Sequence, residues 1–157
     1  MFSRLDYGSA TLAGLPTRLL DRLQSVLNAV ARLVYGSRKY DHVTPLLLDL
    51  HWLRVPERIA FRLAVLVYRQ HGVAPSYLAK ELHRVADVES RQRLRSAAST
   101  ALVVPKTVHT TIGDRSFCVS AARVWNSLSP LVTSSPSLTV FRRRLKTELF
   151  MRSYDLS

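Results

Sequence analysis

The chain has 157 residues, with 23 Lys and Arg against 11 Asp and Glu, giving a formal charge of +12. A chain of this length defaults to one domain and buries roughly 70% of its unfolded surface; with 47% hydrophobic residues and only 5 glycines, intrinsic disorder is excluded and helices are favoured. The cationic excess is mostly arginine and no lysine-rich amphipathic helix with aromatic anchors is present, so phosphate polyanions are the expected partner rather than a membrane surface.

Residues 1–15, MFSRLDYGSATLAGL, show no clean period and read as the end of one element followed by a turn, as though the chain starts in mid-structure. Pro16, Pro45, Pro56, Pro75 and Pro136 each open an apolar-periodic run, as first-turn prolines do. A first amphipathic helix is expected from about Thr17 to Tyr35. Leu19, Leu20, Leu23, Val26, Leu27, Val30, Leu33 and Val34 lie on one arc, and Gly36 marks its end. Thr44 and Pro45 start a short helix, PLLLDL, that leads into His51, Trp52 and Leu53.

The stretch Pro56 to Tyr68, PERIAFRLAVLVY, carries Ile59, Phe61, Leu63, Ala64, Leu66 and Val67 around most of its circumference, which predicts a central helix buried on several sides. Arg58, Arg62 and Arg69 fall within roughly 40° of one another at helical spacing, a narrow cationic ridge interrupted only by Val65. After Gly72, SYLAKELHRV predicts another short helix with Tyr77, Leu78 and Leu82 inward. Residues 87–100, with Arg91, Arg93 and Arg95 at alternate positions, read as a basic linker or surface loop. ALVVP and TVHTTI then suggest two short strands, a β-hairpin near 101–112. SFCVSAARVWNSL returns to helical spacing and ends at Ser129 and Pro130. A final helix from Ser135 and Pro136 places Leu138, Phe141, Leu145 and Leu149 on one face, with Arg142, Arg143 and Lys146 beside it.

Little chemistry accompanies these elements. The five histidines lack the spacing and cysteine company of zinc sites, the acids are scattered, and no phosphate-binding loop or nucleophile motif occurs. No catalytic residue, metal ligand, cofactor or small-molecule substrate is therefore expected. Cys118 is the only cysteine and reads as a small buried hydrophobe, which excludes an intrachain disulfide and points to a reducing, intracellular compartment, nucleus or cytoplasm. Arg4 and Asp6 break up any secretory signal, and the apolar runs stop at Arg62, Arg69 or Pro105, short of the ~20 residues a bilayer requires. Three cationic clusters are the positive signal: Arg58, Arg62 and Arg69; Arg91, Arg93 and Arg95; Arg142, Arg143 and Lys146. Each reads either as a solvated helix face or as a phosphate contact, and the charge of +12 favours phosphate for at least one. Trp52 and Trp125 are read as core anchors, with base stacking the alternative.

Several segments together resemble one family: SRLDYGSATLAGLP at 3–16, LQSVLNAVARLVYG at 23–36, YDHVTPLLLDLHWLRVPERI at 40–59, HGVAPSYL at 71–78, LRSA at 94–97, and GDRSFCVSAARVWNSL followed by PSLTVFRRRLKTELF. The order and near-complete coverage are similar to the carboxy-terminal part of reverse transcriptases of non-LTR retrotransposons, of the jockey and chicken-repeat type. The resemblance implies that residues 1–86 correspond to a thumb-like helical region, with 101–157 following it. The catalytic aspartates would lie in an upstream palm, and Asp6 in LDYG is not that motif. It further implies a noncatalytic C-terminal fragment of an RNA-directed DNA polymerase that grips RNA or an RNA/DNA duplex by its backbone, without sequence specificity, and packs against the palm of a parent polymerase. The chain departs from the family pattern by one residue fewer between Tyr68 and His71, by Cys118 and Ser129 where proline is frequent, and by Leu48 where a charge is common.

The expected architecture is mainly α: a compact bundle of about five to six helices, with the hairpin and two helices of 101–157 packed on the first part. Two functional alternatives stand beside nucleic-acid binding: a helical protein-interaction or structural module, and a decayed reading frame with no independent function.

Overall fold

The computed structural model describes residues 12–72, 82, 85, 101–105 and 116–155, with side chains to residue 70 in the first of these stretches. Among them are six helices: α1 (Thr17–Tyr35), α2 (Thr44–Asp49), α3 (Val55–Gly72), α4 (Phe117–Asn126), α5 (Pro130–Thr133) and α6 (Leu138–Ser153). The chain is a mainly helical bundle, as expected. α3 is its axis and packs on α1, α4 and α6, while α2 leans on α1 and α5 on α6. One continuous core runs through it, from Leu27 and Ala31 of α1 through Leu63, Ala64 and Val67 of α3 to Trp125 of α4 and Phe141, Leu145 and Leu149 of α6. Leu82 and Leu102 are buried in the same core.

Local chemistry sets the helix ends. Gly36 takes a left-handed conformation (φ 61°), and the N–H groups of Gly36 and Ser37 reach back to the carbonyls of Leu33 and Arg32. This is the double back-bond that closes a helix C-terminus. His51 occupies the equivalent place after α2 at φ 51°, with His51 N–H on Leu48 O (3.0 Å) and Trp52 N–H on Leu47 O (2.9 Å). A non-glycine residue pays a steric penalty there, and the imidazole is held against it by stacking on Phe150 at 5.7 Å. The first N–H of α3 is capped from another helix, since Val55 N–H donates to Gln24 Oε1 at 2.9 Å. Ser137 caps α6 by accepting from Val140 N–H at 3.3 Å.

Three expectations need correction. Pro130 does not merely end the preceding helix: it opens the four-residue α5, with Ser129 ahead of it. Ser129 is fixed by Glu148, whose carboxylate accepts from Ser129 N–H at 3.2 Å and from Ser129 Oγ at 2.6 Å. The apolar arc of α1 is only partly used. Leu27 and Ala31 are buried, whereas Leu33 is 81% and Val26 52% exposed, because α2 and α3 cover one edge of the arc. On α3, Ile59 is buried and Phe61 half-buried, but Leu66 is 40% exposed; α1, α4 and α6 leave open the strip that holds Leu66 and Arg69.

Of the hairpin expected near 101–112, residues 106–112 lie outside the described residues, as do the linker at 87–100 and Pro75. Leu102 also meets the side chain of Asn126: its N–H donates to Oδ1 and its carbonyl accepts from Nδ2, both at 2.9 Å.

Candidate nucleic-acid interface

The ridge on α3 and the cationic face of α6 are separated by some eighty residues in sequence and meet in one cleft of 530 Å³. The two helices run antiparallel. Near the C-terminal end of α3, Tyr68 stacks on Phe141 at 4.2 Å and donates to Ser135 O at 2.7 Å; near the N-terminal end of α3, His51 stacks on Phe150. Arg58 and Arg62 come from the α3 wall and Arg142 and Lys146 from the α6 wall. Phe61 and Val65 of α3 and the loop Leu50 to Leu53 also line the cleft.

The stretch His51 to Arg54 is fastened to α6 and to Tyr154 just beyond it at three points. His51 stacks on Phe150, the Tyr154 hydroxyl donates to Trp52 O, and the Arg54 guanidinium lies over the Tyr154 ring at 5.3 Å. Burial pushes the Tyr154 phenol above its ordinary value; Arg54 pulls it down and Glu57 pushes it up. The lip of the cleft is thus held by stacking, a hydrogen bond and a cation–π contact.

Four of the nine cations expected to bind nucleic acid are gathered here: Arg58, Arg62, Arg142 and Lys146. Arg69 lies on the open strip of α3 and does not line the cleft, and Arg143 is exposed on α6 away from it. Arg91, Arg93 and Arg95 lie outside the described residues. The ridge itself differs from expectation. Val65 is buried and Arg58 and Arg62 are half-buried, because α6 packs along this side of α3 and turns an outward ridge into a cleft wall.

Other arginines brace the fold instead. Arg32 holds Asp41 O with two nitrogens at 3.1 and 3.2 Å, Arg144 donates to Leu131 O at 2.8 Å, and Arg152 joins Glu148 to Ser127 O. Arg142 and Lys146, by contrast, are exposed and make no side-chain hydrogen bond or ion pair among the described residues. Chemically, the cleft offers positive charge on two walls and half-buried aromatic surface beside it. The sequence alone reads Trp52 chiefly as a core anchor and His51 as an ordinary surface or packing histidine. The run HWLR directly after an apolar short helix was the available signal that aromatic and cationic groups share one lip.

Among the described residues, no helix is long and apolar enough to cross a membrane. No family model, curated protein or solved structure matches the chain.

Proposed function

We propose that this chain is a noncatalytic C-terminal segment of an RNA-directed DNA polymerase of the non-LTR retrotransposon type, and that it binds the nucleic-acid backbone without sequence specificity. The supporting observation is the convergence of Arg58 and Arg62 with Arg142 and Lys146 in one cleft. Packing of α3 on α6 joins the two cationic faces into one positive surface. Arginine suits the role because its planar fork pairs with phosphate oxygens bidentately. The family resemblance supports the same reading, since the thumb of such enzymes is a helical grip on a template and primer. At Ser129, where the family often has proline, the N–H bond to Glu148 is one that proline cannot make.

Binding of a labelled primer–template duplex across a salt series tests this. Four phosphate contacts predict a slope of log K against log salt of about −3.6, or roughly a hundredfold loss between 50 and 200 mM salt. Affinity flat in salt, or absent at low salt, would reject the reading.

A second reading has its own observation. Leu19, Val26 and Leu33 of α1 are exposed at heptad spacing, with Val34 alongside, which favours a helical interaction module resting against a palm or a partner chain. Leu33→Glu, at a site 81% exposed, would then abolish partner binding and leave the melting temperature unchanged. Unaltered partner binding would count against it.

A further inference from the structure

The cleft contains more than a phosphate grip needs. Contacts to a duplex backbone use charge alone, and a duplex keeps its base faces stacked inside. Here Trp52 and Phe61 are half-buried and Leu53 and Val65 buried, and all four line the same space as the four cations. Its 530 Å³ falls in the range of sites that enclose a small organic group.

We infer that the cleft receives an unpaired nucleotide, at a strand end or in a single-stranded stretch, with the base against Trp52 and Phe61 and the flanking phosphates on the cationic walls. This rests on the nucleic-acid reading above and narrows it from backbone in general to an unpaired strand. Spacing supports it. Arg58 and Arg62 are four residues apart, as are Arg142 and Lys146, so each pair is separated by ~6 Å along its helix, comparable to successive phosphates of one strand. Trp52 and Phe61 line the same cleft as the two pairs, where a base projecting from such a strand can meet them. The clamp of Trp52 O by Tyr154 and of His51 by Phe150 holds the lip in place before any ligand binds, so little ordering is lost on stacking. Every base has a π-face, so the site would favour single strands without choosing among sequences.

The experiment compares the full chain bound to a fluorescein-labelled single-stranded oligonucleotide, to the blunt duplex of the same sequence, and to that duplex with a short single-stranded overhang. Single strand and overhang are expected to bind about tenfold or more tighter than the blunt duplex, the size of one base–aromatic stack. In a Trp125→Phe background, Trp52 is the sole tryptophan, and its fluorescence should be quenched by the single strand and not by the blunt duplex. Trp52→Leu should erase the preference while leaving duplex affinity and salt slope intact. Because quenching is read with Trp52 in place, the result stands even if Trp52→Leu fails to fold. Equal affinity for all three ligands, with unquenched Trp52, overturns this inference and leaves backbone binding standing. No binding of any ligand at low salt overturns both.

Discussion

Phe141 is one of the fully buried residues that join α6 to the rest of the bundle, and replacing it by alanine should cost a large share of the stability. Its side chain is fully buried, with Tyr68 of α3 stacked on it at 4.2 Å and Trp125 of α4 at 5.9 Å. Truncating a buried phenylalanine typically costs about 3–5 kcal/mol, and each aromatic pair adds about 0.5–1.5 kcal/mol, so the upper part of that range is expected. For a chain of this size 1 kcal/mol corresponds to about 2–4 °C in melting temperature, which predicts a fall of roughly 10–20 °C for Phe141→Ala. Phe141→Leu keeps most of the volume and loses mainly the ring contacts, about 1–2 kcal/mol. Thermal unfolding followed in parallel by helical ellipticity and by tryptophan emission checks both values, and coincident transitions establish that the loss is cooperative. A Phe141→Ala melt within a few degrees of the parent, or one no lower than that of Phe141→Leu, would refute the assignment of this ring as the joint between α3, α4 and α6.

Three smaller perturbations follow from particular contacts. Asn126→Asp keeps an acceptor for Leu102 N–H but sets a carboxylate oxygen against Leu102 O, so a loss of about 1–3 kcal/mol is expected by denaturant titration; an unchanged midpoint would show that this bond pair contributes nothing. Gly36→Ala meets no neighbouring atom within 4 Å but is forced into the left-handed region, for a cost of about 1 kcal/mol set by backbone strain alone. Tyr154 has its phenol pushed up by burial, so its neutral form is favoured in the folded state. Its contribution is therefore complete below the unfolded value of about pH 10 and is lost as pH rises through the higher folded value. Tyr154→Phe should lose about 0.5–1.5 kcal/mol at neutral pH, from the bond to Trp52 O, and show a shallower alkaline decline than the parent.

Helix boundaries were legible because they are local. The span Thr17–Tyr35, the stop at Gly36 and the inner face Phe141, Leu145 and Leu149 follow from the glycine stop and 3.6-residue periodicity; the starts differ, since Thr44 is the first residue of α2 and not its cap, and α6 begins at Leu138 behind Ser137 rather than at Ser135 and Pro136. How much of each apolar face is covered was not legible, since that depends on neighbours. The arc of α1 is as apolar as that of any buried helix, yet Val26 and Leu33 face outward because α2 and α3 reach only its other edge. The cationic residues divide in the same way. Arg142 and Arg143 are adjacent and chemically identical, but one helical step of about 100° puts Arg142 on the cleft and Arg143 away from it. Likewise Arg144 and Arg152 are no different in sequence from the cleft residues, and only the carbonyls of Leu131 and Ser127 nearby show them to be braces. Nor did spacing reveal that the Asn126 amide would bond both the N–H and the carbonyl of Leu102.

The claim on which the account rests is that charge acts through the cleft and not through the net charge of the whole chain. The most direct test measures the salt dependence of duplex binding for the double variant Arg142→Ala, Lys146→Ala beside a charge-matched control, Arg18→Ala, Arg22→Ala, which removes two exposed arginines of α1 outside the cleft. The cleft variant should flatten the slope of log K against log salt by about 2, and the control should leave it unchanged. Equal slopes for the two variants would contradict the account, because binding would then follow total charge wherever it lies.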